Sequence, residues 1–456
     1  MYSSRRVFLR SVAGTGLFAY GWLRDGWSAH VAAAQEAAPP TERPVVTAGN
    51  ENFWFNIQQA FDVDRSIINL NNGGVCPSPR VVHSAYKRQL DWANHAPARH
   101  LWQEQDPQVE LVRVRLARAF GCDPEELAIT RNASESLQIV LNGIDLKPGD
   151  EILTTTQDYP RMLETIRQRE RRDGIVMKQL KLPVPIESAD QVLRLFEQHL
   201  NEKTRVVLFC HVVNITGQIL PVADICRMAR ERGIRTIVDG AHAFSQITFQ
   251  CADLECDYYG VSLHKWLTAP IGTGFLYVRR ELIRDLWPLQ AAPREKDADI
   301  RKFEEIGTHP TAPRLAIAEA LTFYQGIGPA RKEARLRWLR DYWAQRLSKY
   351  EQVKFHTNLD PAHSCAIATF EIAGIDSQAL TQHLWDRHKI IVTPILHEDF
   401  QGIRVTPNVY TTTNELDIFC EAIERVIEKG LPTAEAPATT SPATTSEATE
   451  PATPEE

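Results

Sequence analysis

One lysine stands where a predicted strand ends, in a setting that could give its amine a chemical role. Residues 261–280 read VSLHKWLTAPIGTGFLYVRR, which predicts a buried strand, a polar turn and a second strand. Lys265 lies in the turn, with Ser262 and His264 before it. A lysine in a turn is usually a solvated charge, but an amine held in a cleft can attack a carbonyl group or carry a proton. The second interpretation requires partner groups at the same edge of a sheet.

Other polar side chains follow predicted strands at their carboxyl ends. Asp239 ends IRTIVD and His242 comes three residues later, whereas Asn214 follows RVVLFCHVV and Tyr159 follows EILTTT. In open α/β sheets, ligands bind beyond the carboxyl ends of the strands. Residues 130–136, TRNASES, precede an apolar helical run and could present backbone N–H groups to an anion. Each residue alone is explained by capping or packing, but together they predict one site.

The set matches the requirements of a pyridoxal 5′-phosphate enzyme. Such an enzyme needs a lysine for a Schiff base, a carboxylate on the pyridinium nitrogen, an aromatic ring against the cofactor and donors for its phosphate. Lys265 and Asp239 are the candidates for the first two. Once substrate displaces it, such a lysine can carry the proton of the substrate α-carbon.

The order of the motifs resembles one family. The motifs are LNNGGVCPSP (70–79), TRNASES (130–136), HVVNITGQILP (211–221), VDGAHA (238–243), SLHKWL (262–267), EEIGTHPTAP (304–313) and IRVTPNVYTT (403–412). They resemble class V aminotransferase-like enzymes of the fold-type-I pyridoxal phosphate superfamily, in the isopenicillin N epimerase-like branch next to the cysteine desulfurases. The resemblance implies an α/β fold, with a mostly parallel sheet in a large domain and a smaller α+β domain. The alternation of strand and helix from about residue 125 independently favours that sheet.

The resemblance implies a role for each candidate residue. Lys265 would form the Schiff base, Asp239 would pair with the pyridinium nitrogen and His242 would touch the ring hydroxyl. Tyr159 would stack on the ring, with the neighbouring Asp158 as an alternative. The remaining cofactor-binding candidates are Ala133, Ser134, Asn214, Ser262, His264 and, reaching the neighbouring subunit, Thr308. Arg404 would bind a substrate carboxylate through its planar guanidinium. Asn72, in a segment that lines the substrate entrance, would also contact the substrate. Because Thr308 would reach the phosphate site of the neighbouring subunit, a homodimer is expected.

One departure bears on the reaction. Desulfurases of this superfamily carry a catalytic cysteine shortly before the carboxylate-binding arginine, where this chain reads PILHEDFQGIR (394–404). Persulfide chemistry is therefore not expected, and His397, Glu398 and Asp399 either contribute to the substrate pocket or form a polar turn. For a small amino substrate with a carboxylate, transamination ranks slightly ahead of epimerisation, and lyase chemistry comes third. The alternative from another class is a binding protein that keeps the fold without catalysis.

The beginning of the chain resembles a twin-arginine export signal. SRRVFLR (4–10) precedes an apolar run and VAAAQEA, which suits cleavage near Ala34. The run is interrupted by Arg24 and Asp25 and is too short for a stable membrane span. We therefore expect recognition by the twin-arginine export machinery and a periplasmic location.

Composition along the chain predicts how it divides into domains and which ligands it does not bind. The expected parts are the signal at 1–34, an N-terminal segment at 35–75, a large cofactor domain at 76–310, a small domain at 311–432 and a disordered tail at 433–456. The segment at about 50–75 should pack on the small domain or on a partner subunit. A net charge of −7 gives no footprint for nucleic acid. Without any C-x-x-C pair no metal site is predicted, although Cys251 and Cys256 could form a disulfide.

Overall fold

The computed structural model describes residues 44–432, so the expected export signal and tail lie outside the described residues. In chain order the strands are β1 (Ile68–Asn69), β2 (Leu127–Thr130), β3 (Glu151–Thr155), β4 (Val176–Leu180), β5 (Thr204–Cys210), β6 (Arg235–Asp239), β7 (Tyr258–Ser262), β8 (Gly274–Val278), β9 (Val353–Phe355), β10 (Ala368–Ile372), β11 (Ile390–Ile391), β12 (Thr393–Leu396) and β13 (Gln401–Val405). The helices are α1 (Pro44–Ala48), α2 (Glu51–Gln58), α3 (Arg80–His95), α4 (Pro97–Arg99), α5 (Val109–Phe120), α6 (Ala133–Gly143), α7 (Pro160–Asp173), α8 (Ala189–His199), α9 (Val222–Glu231), α10 (Ala312–Leu315), α11 (Ile317–Ile327), α12 (Pro329–Leu347), α13 (Ser377–His388) and α14 (Thr413–Lys429).

A seven-stranded sheet organises the large part of the fold, in the order β2-β8-β7-β6-β5-β3-β4. Strands β7, β6, β5, β3 and β4 run parallel, whereas β8 is antiparallel to both of its neighbours. The expected α/β fold with a mostly parallel sheet is confirmed. Residues 206–210 of β5 are all buried, which explains the unbroken apolar run of that strand, because helices cover both faces.

Two apolar clusters lie on the two faces of this sheet. One contains residues of α3, α5, α8, α9 and α11, and the other is built on α6 and α7. Burial of each large aliphatic or aromatic side chain contributes roughly 1.5–3 kcal/mol. The two clusters thus hold the strand ends, and the side chains that follow them, in a rigid frame.

A smaller antiparallel sheet, β12-β13-β10-β9, forms the second part with α12, α13 and α14 around it. Its core includes Trp343, Phe370 and Phe419. The N-terminal segment joins this part, because β1 pairs in parallel with β11 and Arg65 forms an ion pair with Glu415. Packing of this segment on the small domain is therefore confirmed.

The cysteines are free thiols, and seven of the eight are buried. Cys251 and Cys256 are not linked, so the disulfide considered between them is absent. Burial raises the pKa of Cys251 and Cys365 to about 12, which keeps these thiols protonated and unreactive. Across residues 44–432, no helix combines the length and the apolar character required to cross a membrane.

Candidate active site

A cavity of about 630 Å³ opens beyond the carboxyl ends of β3, β5, β6 and β7. Residues of the small sheet, among them Thr393 and Ile395, close it from the other side. It brings together the predicted residues Ala133, Ser134, Tyr159, Asn214, Asp239, His242, Ser262, His264, Lys265 and Arg404. Side chains separated by up to 271 residues in the chain therefore share one space.

Lys265 follows β7 and enters this cavity. Its Nζ lies 3.0 Å from Nε2 of His242. Burial lowers the pKa of Lys265 to about 8, although the carboxylate of Asp239 works in the opposite direction. A lysine whose pKa is near neutrality is partly a free amine, which is the nucleophilic and basic form.

Asp239 is the last residue of β6, and its Oδ1 accepts the N–H of Ala241 at 2.9 Å. Burial raises the pKa of Asp239 to about 6, against the effect of this hydrogen bond and of Lys265. At neutral pH the carboxylate is ionised at a cost, which a protonated ring nitrogen opposite it would offset.

The start of α6 lines the same cavity. The side chain of Asn132 caps the helix by accepting the N–H of Glu135 at 2.9 Å, and the N–H of Ala133 donates to Oγ of Ser262 at 3.0 Å. Gly274 on β8 permits this approach, because a Cβ there would lie 2.6 Å from Cα of Asn132. Helix N-termini of this kind favour phosphate.

Three buried polar atoms of residues lining the cavity have no hydrogen-bond partner among residues 44–432. They are Nδ1 of His264, Oδ1 of Asn214 and Nε of Arg404. An unsatisfied buried polar group costs about 1–3 kcal/mol, so three around one cavity indicate a polar ligand. Together with the lysine, the carboxylate and the helix N-terminus, they fit pyridoxal phosphate.

Arg404, in β13, reaches the cavity from the small sheet. Its Nη1 donates to the carbonyl of Asn214 and its Nη2 to Oδ1 of Asn71, both at 2.9 Å. Within the described part of the chain no carboxylate pairs with it, and burial lowers its pKa to about 10. A buried guanidinium without an anion is suited to a substrate carboxylate.

Tyr159, and not Asp158, faces the cavity. The carboxylate of Asp158 turns into the sheet, where it accepts hydrogen bonds from Oγ1 of Thr154 (2.7 Å), the N–H of Thr155 (2.8 Å) and the N–H of Cys210 (3.0 Å). Tyr159 lines the cavity at the N-cap of α7 and is 37% exposed. The alternative in which Asp158 faces the ring is therefore wrong.

Two candidates do not line the cavity. Asn72 is fully buried, and its amide donates to the carbonyl of Thr406 at 2.9 Å while its Oδ1 accepts from the Tyr410 hydroxyl at 2.6 Å. It therefore shapes the entrance segment, and its expected direct contact with substrate is corrected. Sequence reasoning missed Asn71, which holds Arg404 by accepting a hydrogen bond from its Nη2. Thr308 is exposed on this chain, and its reach to a partner stays a prediction.

The stretch 397–399 bridges the two parts of the fold and does not line the cavity. Nε2 of His397 donates to the carbonyl of Thr156 at 3.0 Å. Lys181 pairs with Glu398 at 3.0 Å and with Asp399 at 2.8 Å. Of the two possibilities for these residues, the structure supports a polar turn that joins the small sheet to the large one.

Comparison with known proteins agrees with this geometry. The model of the family described as aminotransferase class-V matches residues 68–415. The chain is 32% identical over 392 residues to the isopenicillin N epimerase of Amycolatopsis lactamdurans, covering 82% of this chain and 98% of that protein. It is 27% identical over 390 residues to a probable cysteine desulfurase of Synechocystis, and the match covers 79% of this chain and 91% of that protein.

Among solved structures, a variant of C-DES with glycine linked covalently to its PLP cofactor shares the fold. The TM-score is 0.72 at 23% sequence identity, and the match covers 80% of this chain and 98% of that one. The chain therefore belongs to the aminotransferase class-V family, with its fold-type-I architecture and its dependence on pyridoxal 5′-phosphate.

Proposed function

We propose that this protein inverts the α-carbon of an amino acid, or of a metabolite that contains one. The observation that carries the substrate class is the buried guanidinium of Arg404, which shares a cavity with Lys265 and has no carboxylate partner among the described residues. An amino group beside a carboxylate would satisfy both groups at once. The similarity to an isopenicillin N epimerase favours epimerisation. Transamination, which ranked first on the sequence alone, becomes the second candidate, supported by the family model.

Bound pyridoxal phosphate withdraws electrons from the α-carbon of a substrate amino acid and makes its hydrogen acidic. Lys265 is suited to take that proton, because burial keeps a fraction of its amine uncharged near neutral pH. Asp239 would hold the ring nitrogen in its protonated form. Arg404 would bind the carboxylate and so decide which bond of the α-carbon lies beside Lys265.

Epimerisation also needs a group that delivers a proton to the opposite face of the α-carbon. Tyr159 is the candidate, because it carries a hydroxyl and lines the same cavity as Lys265. Its ring would contact the cofactor while its hydroxyl supplies the proton. A tyrosine in this position can therefore serve both the binding and the chemistry.

Desulfurase chemistry is disfavoured by the thiols. The residues that line the cavity include no cysteine within the described part of the chain. The turn at 397–399, where desulfurases carry their nucleophile, is bound to Thr156 and Lys181. Since a persulfide needs an accessible thiolate, similarity to cysteine desulfurases extends to the fold and cofactor only.

Location and assembly belong to the same proposal. The paired arginines of SRRVFLR support export of the folded protein by the twin-arginine machinery to the periplasm. The exposed Thr308 supports a homodimer in which this residue reaches the partner's phosphate site. Cell fractionation with Arg5→Lys and Arg6→Lys together tests the first proposal, and light scattering tests the second.

The reaction is tested by incubating the full chain and pyridoxal phosphate in D₂O with a panel of single enantiomers of amino acids and small peptides. Deuterium at the α-carbon with inversion identifies an epimerase, whereas an oxo acid identifies an aminotransferase. Lys265→Ala should lose the yellow absorbance and the exchange together, by about 10²–10⁴-fold in rate. Retained exchange in this variant would overturn the mechanism. If the unmodified protein shows no yellow absorbance and no exchange, the binding-protein alternative is favoured.

A further inference from the structure

A pair of polar contacts connects a buried tryptophan to the reactive lysine. Nε1 of Trp266 donates to Nδ1 of His242 at 3.4 Å, and Nε2 of the same imidazole lies 3.0 Å from Nζ of Lys265. Trp266 is completely buried, and its ring meets that of His242 edge-on. The imidazole thus stands between an indole and an amine.

The indole determines which imidazole nitrogen carries the proton. Nε1–H of tryptophan can only donate, so Nδ1 of His242 must accept. Burial, reinforced by the charge of Arg404, lowers the pKa of His242 well below its ordinary value, so that the ring is neutral. A neutral imidazole has one N–H, and it must therefore lie on Nε2, directed at Lys265.

This polarity distinguishes between the two forms of the lysine. A free amine has a lone pair that can accept the N–H of His242, whereas an ammonium has only donors. We propose that Trp266 acts through His242 as a positioning residue that holds Lys265 as a free amine. The inference rests on the proposed role of Lys265 as nucleophile and base.

The other groups around Lys265 act by charge and do not reproduce this effect. Asp239 favours the ammonium form, and Arg404 together with burial disfavours it. Burial lowers the pKa of His264 to about 4 and raises the pKa of Cys210 well above its ordinary value, so both are neutral at pH 7. The direction of the His242 hydrogen bond is thus an independent contribution.

The position of Trp266 is itself fixed by the fold. Nζ of Lys332, on α12, donates to the carbonyl of Trp266. Two residues later Thr268 adopts φ +59°, a left-handed conformation that a β-branched residue keeps only when its surroundings impose it. The turn after Lys265 is therefore held rigidly enough to aim the indole.

The test measures the titration of Lys265 in the full chain freed of cofactor. Trace acetylation with acetic anhydride across a pH series is quantified by mass spectrometry of the Lys265 peptide, with the exposed Lys349 as reference. Trp266→Phe should raise the midpoint by about one pH unit, which lowers labelling near neutrality about tenfold. Because neither cofactor nor substrate is present, failure of the proposed reaction would leave this result unaffected.

The matched control is Trp343→Phe. Trp343 is also fully buried, but its Nε1 has no partner among the described residues, and it lies in the core of the small sheet. This change should leave the Lys265 midpoint unchanged. An equal midpoint in Trp266→Phe and the unmodified protein, or an equal shift in both variants, would overturn the inference.

A second measurement covers the case in which Trp266→Phe does not fold. The ¹⁵N shifts of the His242 ring in the unmodified chain, assigned by their loss in His242→Gln, report the tautomer directly. A proton on Nε2 supports the inference, and a proton on Nδ1 overturns it.

Discussion

Arg404→Met should abolish recognition of the substrate carboxylate while leaving the free protein about as stable as before. Burial lowers the pKa of Arg404 from 12.5 to about 10, so holding the cation in the cavity costs about 3 kcal/mol at 1.36 kcal/mol per pKa unit. Against this, the side chain donates hydrogen bonds to Asn214, Asn71 and Thr393. At about 1 kcal/mol each, these contribute about 3 kcal/mol. The two effects nearly cancel.

The catalytic effect does not cancel. A bidentate charge-assisted contact with a carboxylate contributes about 3–4 kcal/mol, which corresponds to a loss of about 10²–10³ in kcat/KM. The assay compares the amino acid that exchanges fastest in D₂O with the amine that lacks its carboxylate. The unmodified enzyme should prefer the acid by this factor, and Arg404→Met should show no preference.

Arg169→Met is the matched control, because Arg169 is also buried but lies on α7, bound to Asp173 and to the carbonyl of Leu141. It should lower the thermal midpoint without changing the preference for the acid. If the unmodified enzyme handles acid and amine equally, or if Arg404→Met keeps the preference, Arg404 does not bind the substrate carboxylate.

Two further predictions concern Asp239 and Tyr159. The folded-state pKa of Asp239 is raised from 3.8 to about 6, so its contribution to stability is fully present below about pH 4 and is lost as the pH rises through 6. Asp239→Asn should therefore stabilise the cofactor-free protein at pH 7–8 by about 3 kcal/mol, while strongly slowing exchange of the substrate α-proton. The free energy of unfolding is measured in urea. No increase at pH 8, or the same increase at pH 3.5, would contradict this prediction. Tyr159→Phe keeps the ring and removes the hydroxyl, so it should retain α-proton exchange but slow inversion by about 10²–10⁴-fold; equal loss of both on NMR and chiral chromatography would mean that the hydroxyl is not the second proton donor.

Much of the frame of this site could be predicted from sequence. Apolar runs such as RVVLFCHV became buried strands, here β5, because the pattern reports burial on both faces. The rule that ligands bind at carboxyl ends then placed Asp239, Lys265 and Asn214 around one cavity. These predictions depend on local periodicity and on the geometry common to all parallel sheets.

The choice between adjacent residues could not be predicted. Asn71 and Asn72 are neighbours of the same type, and what separates them is the contact of Asn72 with Thr406 and Tyr410, more than 330 residues away. Asp158 turns inward because the N–H of Cys210, on another strand, reaches its carboxylate. Such outcomes are decided by tertiary hydrogen bonds, which leave no periodic signal in the chain.

The cavity contains buried polar and ionisable groups that lower the stability of the ligand-free fold, and ligands can satisfy them. Burial disfavours the charged forms of Asp239, Lys265 and Arg404, and Asn214 and His264 each keep a buried atom without a partner among the described residues. Phosphate, ring nitrogen and carboxylate are complementary to these groups. Binding should therefore stabilise the fold in proportion to the logarithm of the cofactor concentration. An arrangement that stability alone would not select is thus explained by its ligands, and the same arrangement keeps Lys265 reactive.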